Sequence, residues 1–332
     1  MVLRCFSWRD IPILHRYRDE MIFLNSELML KSGSFNTFKS LLFSVLPLDS
    51  MLTLVGSKKD NNTLQIKHAL GQAYYRVGEE HAYLSFIAPE SSLIPQLVLA
   101  LIDGITAWAG HQGALRILAD IEESHPLFEI MRQAGFSVYA RQRIWQVVQS
   151  GPSKKIEKTQ NHFVWRPALP SDWQAIQSLY QSLVPNLIQR VGQPMFNSSR
   201  GLVCYQHNEL AAYIEFRYGV NGICAYPLIH PDAPEVVYSL PQVMDELNGI
   251  APRLQRPVYA LISHYQNWIE SALVSQGALV SVTQALMVKH LTTRQQVFPS
   301  LIPALEFESS QTQPLAFVLS GDKNHESCTN HR

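Results

Sequence analysis

The chain has 332 residues, of which 46% are hydrophobic and 16% charged, which excludes a disordered chain and gives length for about two domains. Lys plus Arg and Asp plus Glu number 27 each, so the net charge is zero and the basic excess of a protein built to hold long nucleic acids is missing. The four cysteines, Cys5, Cys204, Cys224 and Cys328, form no CxxC pair, so neither a disulfide framework nor a zinc signature is present. A reduced, cytoplasmic setting is the simplest expectation. The opening MVLRCFSWRD has no apolar run of the secretory kind. Leu93–Ala109 is the most apolar helical stretch, but Gln96 and Asp103 interrupt it, and it is too short to span a bilayer.

In chain order, LRCFSWRDIPILHRYRDE predicts a short strand and then a helix that starts near Asp10, an N-cap residue type ahead of an apolar-periodic run. Strands are expected at Leu52–Val55, along GQAYYRV from Gly71, and at Tyr83–Glu90, where Pro89 ends the ladder because it has no N–H to donate. A long helix follows over Leu93–His111, then a strand at Leu115–Ile121 and a helix over Pro126–Ala134. That helix stops at Gly135, a residue able to take the left-handed conformation at C′, and a last strand runs to about Val148. Ser150–His162 is polar, contains Gly-Pro and reads as a linker.

The same order then repeats. Arg4 stands six before Asp10, and Arg166 stands six before Asp172. Leu202–Tyr205 is strand-like, LAAYIEF resembles GQAYYRV, and AYPLIHPD, like YLSFIAPE, ends on Pro followed by an acid. A helix is expected over Glu235–Ile250, with a kink at Pro241, then a strand at Val258–Ser263 and a helix over Trp268–Gln276 that stops at Gly277. Gly135 and Gly277, Val138 and Val280, and Gln142 and Gln284 fall in register 142 positions apart. Each copy reads β-α-β-β-β-α-β-α-β. The expected organisation is one copy over residues 1–149, a linker over 150–162, a second copy over 163–292 and a polar C-terminal extension over 293–332.

The residues FIAPESSLIPQLVLALIDGITAWA, LRILADIEE and LFEIMRQAGFSVYARQRIW, echoed by LIHPDAPEVVYSLPQVMDEL and SALVSQGALVSV, resemble the GNAT superfamily of N-acetyltransferases. The resemblance implies an α/β fold with a mixed sheet, here as two tandem GNAT-like domains. It further implies binding of acetyl-CoA or another acyl-CoA in a V-shaped cleft between two splayed parallel strands, and transfer of the acyl group to an amine by direct attack. The pyrophosphate would sit on N–H groups at the start of the long helix, a good anion site on general grounds. The sequence departs from the family pattern here. The loops Pro89–Pro95 and Pro231–Val236 contain no glycine and do contain acids, and the position of the family's proton-donating tyrosine holds Met131 in one copy and Leu273 in the other.

Candidate chemistry follows from that frame. Glu122 and Glu123 close a strand that lines the first cleft and could act as a general base if burial raised a pKa, or could cap the next helix. Ser91, Ser92 and the helix start at Leu93 are the candidate cofactor-binding residues, with an N-cap as the alternative role for the serines. In the second copy His264 and Tyr265 form a candidate base and acid, against a solvated loop-edge pair. Glu215 is a candidate base, against a solvated surface pair with Arg217, which alternation places on the same face. The six tryptophans are expected in the core or between the copies. No histidine spacing suggests a metal. Two functions remain open: an acyl-CoA-dependent N-acyltransferase for a small-molecule or protein amine, and a catalytically inactive GNAT-like binding or scaffold protein.

Overall fold

The computed structural model describes residues 1–30, 51–59, 66–147, 163–191, 201–219, 222–240, 243, 256–275 and 277–291. All of these fall in one compact unit, Met1–Thr293. The expected linker at 150–162, the extension at 293–332 with Cys328, the kink at Pro241 and most of the helix expected up to Ile250 lie outside the described residues.

The first copy contributes β1 (Val2–Cys5), α1 (Ile11–Arg16), β2 (Ile22–Phe23), β3 (Met51–Lys59), β4 (Ile66–Tyr75), β5 (His81–Ala88), α2 (Pro95–His111), β6 (Arg116–Glu122), α3 (Pro126–Gln133) and β7 (Ser137–Val147). The second contributes β8 (Trp165–Pro167), α4 (Trp173–Leu183), α5 (Asn186–Val191), β9 (Gly201–Gln206), β10 (Glu209–Tyr218), β11 (Ile223–Ile229), β12 (Val258–Ser263), α6 (Glu270–Ser275), β13 (Leu279–Val280) and β14 (Gln284–His290). Where the long helix of the second copy was expected, Pro234–Ser239 is a 3-10 turn, and another 3-10 turn, His264–Ile269, precedes α6.

All the strands among the described residues join one sheet, with the order β1-β3-β4-β5-β6-β14-β7-β12-β11-β10-β9-β8 and with β2 and β13 off this path. The closing strands are exchanged. The second copy's β14 lies between β6 and β7 of the first, and β7 pairs with β12 of the second. At the centre, Gln142 is the register partner of Gln284, and its Nε2 donates to Gln284 Oε1 at 3.1 Å. Repeat-equivalent residues that face each other across an antiparallel pair mark a local twofold axis. The two closing strands are led in the same way. Gly135 and Gly277 have φ of +89° and +75°, and the following N–H groups, of Phe136 and Ala278, return to the Met131 and Leu273 carbonyls.

Both faces of the sheet are covered, as alternation along the strands requires. In the first copy Leu54, Ala69 and Ala73 pack with Leu97, Leu101 and Ile105 of α2, while Val55 and Leu70 pack with Leu14 of α1 on the opposite face. In the second copy Ala212, Ile214 and Phe216 join one core, and Tyr213 joins the other with Ile176 and Leu179 of α4. Trp145 is buried, but Trp8 and Trp173 are 68% and 41% exposed, so two of the six tryptophans are not core residues. Both sit where the chain turns into its first helix, outside the two helix–sheet cores. No helix among the described residues is long and apolar enough to cross a membrane.

The Arg-to-Asp spacing has the same structural meaning in both copies. Arg4 reaches both oxygens of Asp10 at 2.5 Å, and Arg166 both oxygens of Asp172 at 2.7 Å. Each aspartate also accepts a backbone N–H from three residues before it, Ser7 at 2.9 Å and Leu169 at 2.8 Å. Asp10 does not cap α1 with its side chain; it ties the first strand to the turn that starts the helix. The Arg4 hydrogen bonds, assisted by Ser7 and opposed by burial, hold its carboxyl at about 2.

Two predictions follow from this architecture. A fragment that ends at residue 149 lacks the strand between β6 and β7; alone it gives no cooperatively melting monomer, and co-expression with residues 163–332 restores one, as read by circular dichroism and size-exclusion chromatography. Asp10 has a folded pKa below its unfolded value of about 3.9, so its contribution is full above that value and lost as pH falls towards about 2. Urea midpoints measured across that window fall more steeply for the wild type than for Asp10→Asn.

Candidate functional site

Each copy has one parallel contact that opens into a V. In the first, β5 pairs with β6 only at His81↔Arg116, Ala82↔Ile117 and Tyr83↔Leu118. In the second, β11 pairs with β12 only at Ile223↔Val258, Cys224↔Tyr259 and Ala225↔Ala260. Beyond those pairs the strands part, and their peptide groups need other partners.

In the first V the partner is the chain itself. β2 runs along the freed edge of β5, with Ile22 opposite Ile87 and Phe23 opposite Phe86. Leu24 then spans the gap: its N–H donates to the Ser85 carbonyl and its carbonyl accepts from the Asp120 N–H of β6, both at 2.9 Å. Farther along, the Glu90 N–H donates to the Glu20 carbonyl at 2.9 Å. Leu24 is 1% exposed.

In the second V a side chain does the same work. The Gln266 amide is 2% exposed and lies against β11, where Oε1 accepts from the Ile229 N–H at 3.2 Å and Nε2 donates to the Pro227 carbonyl at 3.1 Å. The 142-residue repeat maps Ser85 onto Pro227 and Ile87 onto Ile229. The same two positions are therefore bridged in both copies, by a strand in one and by a primary amide in the other.

Between the two copies, across the exchanged strands, lies a cavity of about 160 Å³. Its wall includes Asp120 of β6, Gln142 of β7, Arg217 of β10, Tyr226 of β11 and Glu27, which is delivered by the helical turn at 26–30 that follows Leu24. Tyr83, Tyr139, Tyr180 and Tyr265 complete an aromatic lining. Arg217 is the hub of the charges. Its Nη1 bonds Glu27, its Nε donates to Glu215 Oε1 at 2.9 Å, and its guanidinium lies 4.8 Å from the Tyr226 ring centre. The Tyr226 hydroxyl donates to Glu27 at 2.9 Å. Asp120 accepts the Ser26 N–H at 3.1 Å, yet burial pushes its carboxyl up to about 6.

The residues singled out in the sequence fall in different places. Glu215 is 3% exposed and does pair with Arg217, but in the interior and not as a solvated surface pair. Its Oε2 is buried with no hydrogen-bond partner, and burial raises its pKa despite Arg217. Tyr265 lines the cavity, and burial pushes its hydroxyl up to about 12, whereas His264 beside it is exposed. Glu123 is tied to Arg141 at 2.7 Å, and Glu122 accepts from the Ser124 hydroxyl. Ser91 bonds Glu20, and α2 starts only at Pro95 with Ile94 at its N-cap, so neither Ser91 nor Ser92 caps it. Leu93 packs against the first core instead.

Sequence reasoning passed over Asp120, Glu27 and Gln266. Asp120 had a signal, an acid in the middle of the apolar strand RILADIE, where a polar group must find a partner. Among the described residues no group of His, Cys, Asp or Glu is arranged to hold a metal.

No protein-family model matches the sequence, and no curated protein matches it. Solved structures do match the fold. A GCN5-related N-acetyltransferase from Sphaerobacter thermophilus superposes with a TM-score of 0.53 at 10% identity, over 87% of this chain and 95% of that one. A tandem GNAT protein from the clavulanic acid biosynthesis pathway gives 0.49 at 11% identity, over 88% and 98%. A functionally unknown conserved protein from Staphylococcus epidermidis gives 0.48 at 10%, over 67% and 91%. The fold is the mixed α/β GNAT fold, present in two tandem copies.

The charge hub can be tested through stability. Arg217→Met leaves Glu215 and Glu27 without their shared cation, and removing one partner of a buried pair costs about 3–5 kcal/mol. The stranded carboxylates then have raised pKa values, so they take up protons on folding and acid relieves them. The variant's deficit against the wild type, read from urea midpoints, shrinks as pH is lowered from about 8 to about 5.

Proposed function

We propose that this chain is a GNAT-fold binding protein that does not use acyl-CoA. The observation that carries this reading is the closure of both V clefts at equivalent positions, by Leu24 and β2 in the first and by Gln266 in the second. An acyl-CoA chain lying in either cleft would have to displace these groups and re-form their hydrogen bonds. The approach to α2 is also unfavourable for a pyrophosphate, because Glu20 and Glu90 stand there, with Ser91 on Glu20 and His125 at 3.2 Å from Glu90. The second copy offers Asp232 and Glu235 at its equivalent turn, and the described start of its helical segment, Pro234–Ser239, is a 3-10 turn. Met131 and Leu273 are both buried in apolar cores and supply no acid for a departing thiolate.

One observation favours the second reading, an N-acyltransferase that takes acetyl-CoA or another acyl-CoA as co-substrate. Asp120 lies in a cavity with its pKa near 6, a suitable value for a group that removes a proton from an ammonium near neutral pH. In that reading the strap at 22–24 or the Gln266 turn must leave its cleft before acyl-CoA binds, and Asp120 acts as base towards a small-molecule or protein amine.

Calorimetric titration of the full chain with acetyl-CoA and with free CoA separates the two. The expected result is no saturable heat and no rise in melting temperature at millimolar ligand; micromolar binding overturns the binding-protein reading. Gln266→Ala exposes the second cleft and leaves the Ile229 N–H and Pro227 carbonyl unpaired. It lowers stability by about 1–3 kcal/mol in urea unfolding, the cost of orphaned buried polar groups.

A further inference from the structure

We propose that the cavity between the two copies is a receptor site for a small organic cation, held by the Asp120 and Glu27 carboxylates within a wall of tyrosines. This rests on the binding-protein reading and names its ligand class. The site is built by both copies: Glu27 and Asp120 come from the first, and Arg217, Tyr226 and Tyr265 from the second. The charge on the wall is unbalanced. The Arg217 guanidinium is already engaged by Glu27 and by Glu215 behind it, which leaves Asp120 facing the cavity with no cation bonded to it among the described residues. An anion would sit beside two carboxylates, whereas a cation completes the set.

The lining suits an organic cation better than a hydrated metal ion. Tyrosine rings attract a cation through their faces and pack against its alkyl groups. A space of about 160 Å³ is close to one known to admit benzene, which limits the ligand to roughly ten non-hydrogen atoms. A quaternary ammonium satisfies the same charge and has no N–H to acylate, so its binding separates a receptor site from the acceptor site of a transferase.

The test uses the full-length chain, with choline and benzylammonium titrated against their neutral counterparts, dimethylbutanol and benzyl alcohol, by calorimetry and thermal shift. The expected result is one cation bound per chain, at least tenfold more tightly than its neutral counterpart. Asp120→Asn keeps an acceptor for the Ser26 N–H but removes the charge, and is expected to weaken cation binding tenfold or more. Glu129→Gln, which removes the charge of an exposed acid on α3 that is not part of the cavity wall, provides a folded control and leaves choline binding within about twofold. Equal affinity for the cations and their neutral counterparts, no shift with either cation, or unchanged binding in Asp120→Asn each overturns the proposal. Acetyl-CoA titrated in parallel reports on the functional reading alone, because it can bind or fail to bind whatever the cations do.

Discussion

The antiparallel meeting of β7 and β14 organises the rest of the molecule. β6 and β12 are the last strands of each copy that pair with a strand of the same copy, and without the exchange each would end in an unpaired edge beside an apolar core. An exposed edge of that kind is a liability in water. Each copy covers the other's edge, so β14 seals β6 and β7 seals β12, and Gln142 meets Gln284 where the two exchanged strands cross the local axis. Stability of one copy is then not separable from that of the other. The exchange also fixes where a shared site can form, because strands of both copies lie side by side only along this seam. The cavity lies there, with β6, β7, β12 and β14 all contributing to its wall.

Other contacts across the seam follow the same logic. His81 at the start of β5 bonds the Val191 carbonyl at the end of α5, at 2.7 Å and in the interior. Arg143 of β7 pairs with Glu270 of α6 at 2.8 Å. Glu27 crosses from the first copy to Arg217 and Tyr226 of the second. A chain with no net charge has concentrated three acids and one guanidinium in a single buried region. That arrangement is costly unless every group is matched, since burying charge loses hydration that only good partners restore. Arg217 matches two of the acids. Asp120 has no cation beside it and is matched only by Ser26, so burial keeps its proton affinity high, while that of Asp10, with a bidentate arginine, is low.

What could be read in the sequence was what is local. The Arg-to-Asp spacing and the glycines at 135 and 277 each act within a few residues of themselves, and each does the same thing in both copies. The strand exchange was not readable, because an apolar strand has the same alternation whichever neighbour it pairs with. The same holds for the strap. Ile22 to Leu24 is an apolar run too short to be read as a strand, and only the splay of β5 from β6 gives it peptide groups to bond. Glu122 and Glu123 end the strand; alternation puts Glu122 on the same face as Asp120, but the cavity reaches only as far as Asp120, two residues earlier. Tyr83 could not be told from Tyr75, since both lie on strands with similar patterning, and only the packing puts one on the cavity wall and the other in the core.

The two closures bear on function through a simple constraint. Parallel strands that part leave N–H and carbonyl groups in a space too apolar to leave them bare, so something must bond them. Water, a ligand or the protein can do so, and the choice decides whether the cleft is available. Here the protein bonds them twice by unrelated means. A backbone segment serves in the first copy, and in the second a glutamine amide, the side-chain group chemically closest to a peptide, reproduces the bonds at Pro227 and Ile229. Both copies keep the splay and neither leaves these peptide groups open. The splay therefore belongs to the fold's geometry, and its occupant is a separate matter set by a few residues. In the first copy that occupant also carries Asn25, whose Oδ1 caps the turn at 26–30 through the Leu28 N–H at 2.8 Å and so aims Glu27 into the shared cavity. Closing the cleft and furnishing the cavity are done by one continuous stretch of chain, so a change that freed the cleft would also dismantle the acidic wall.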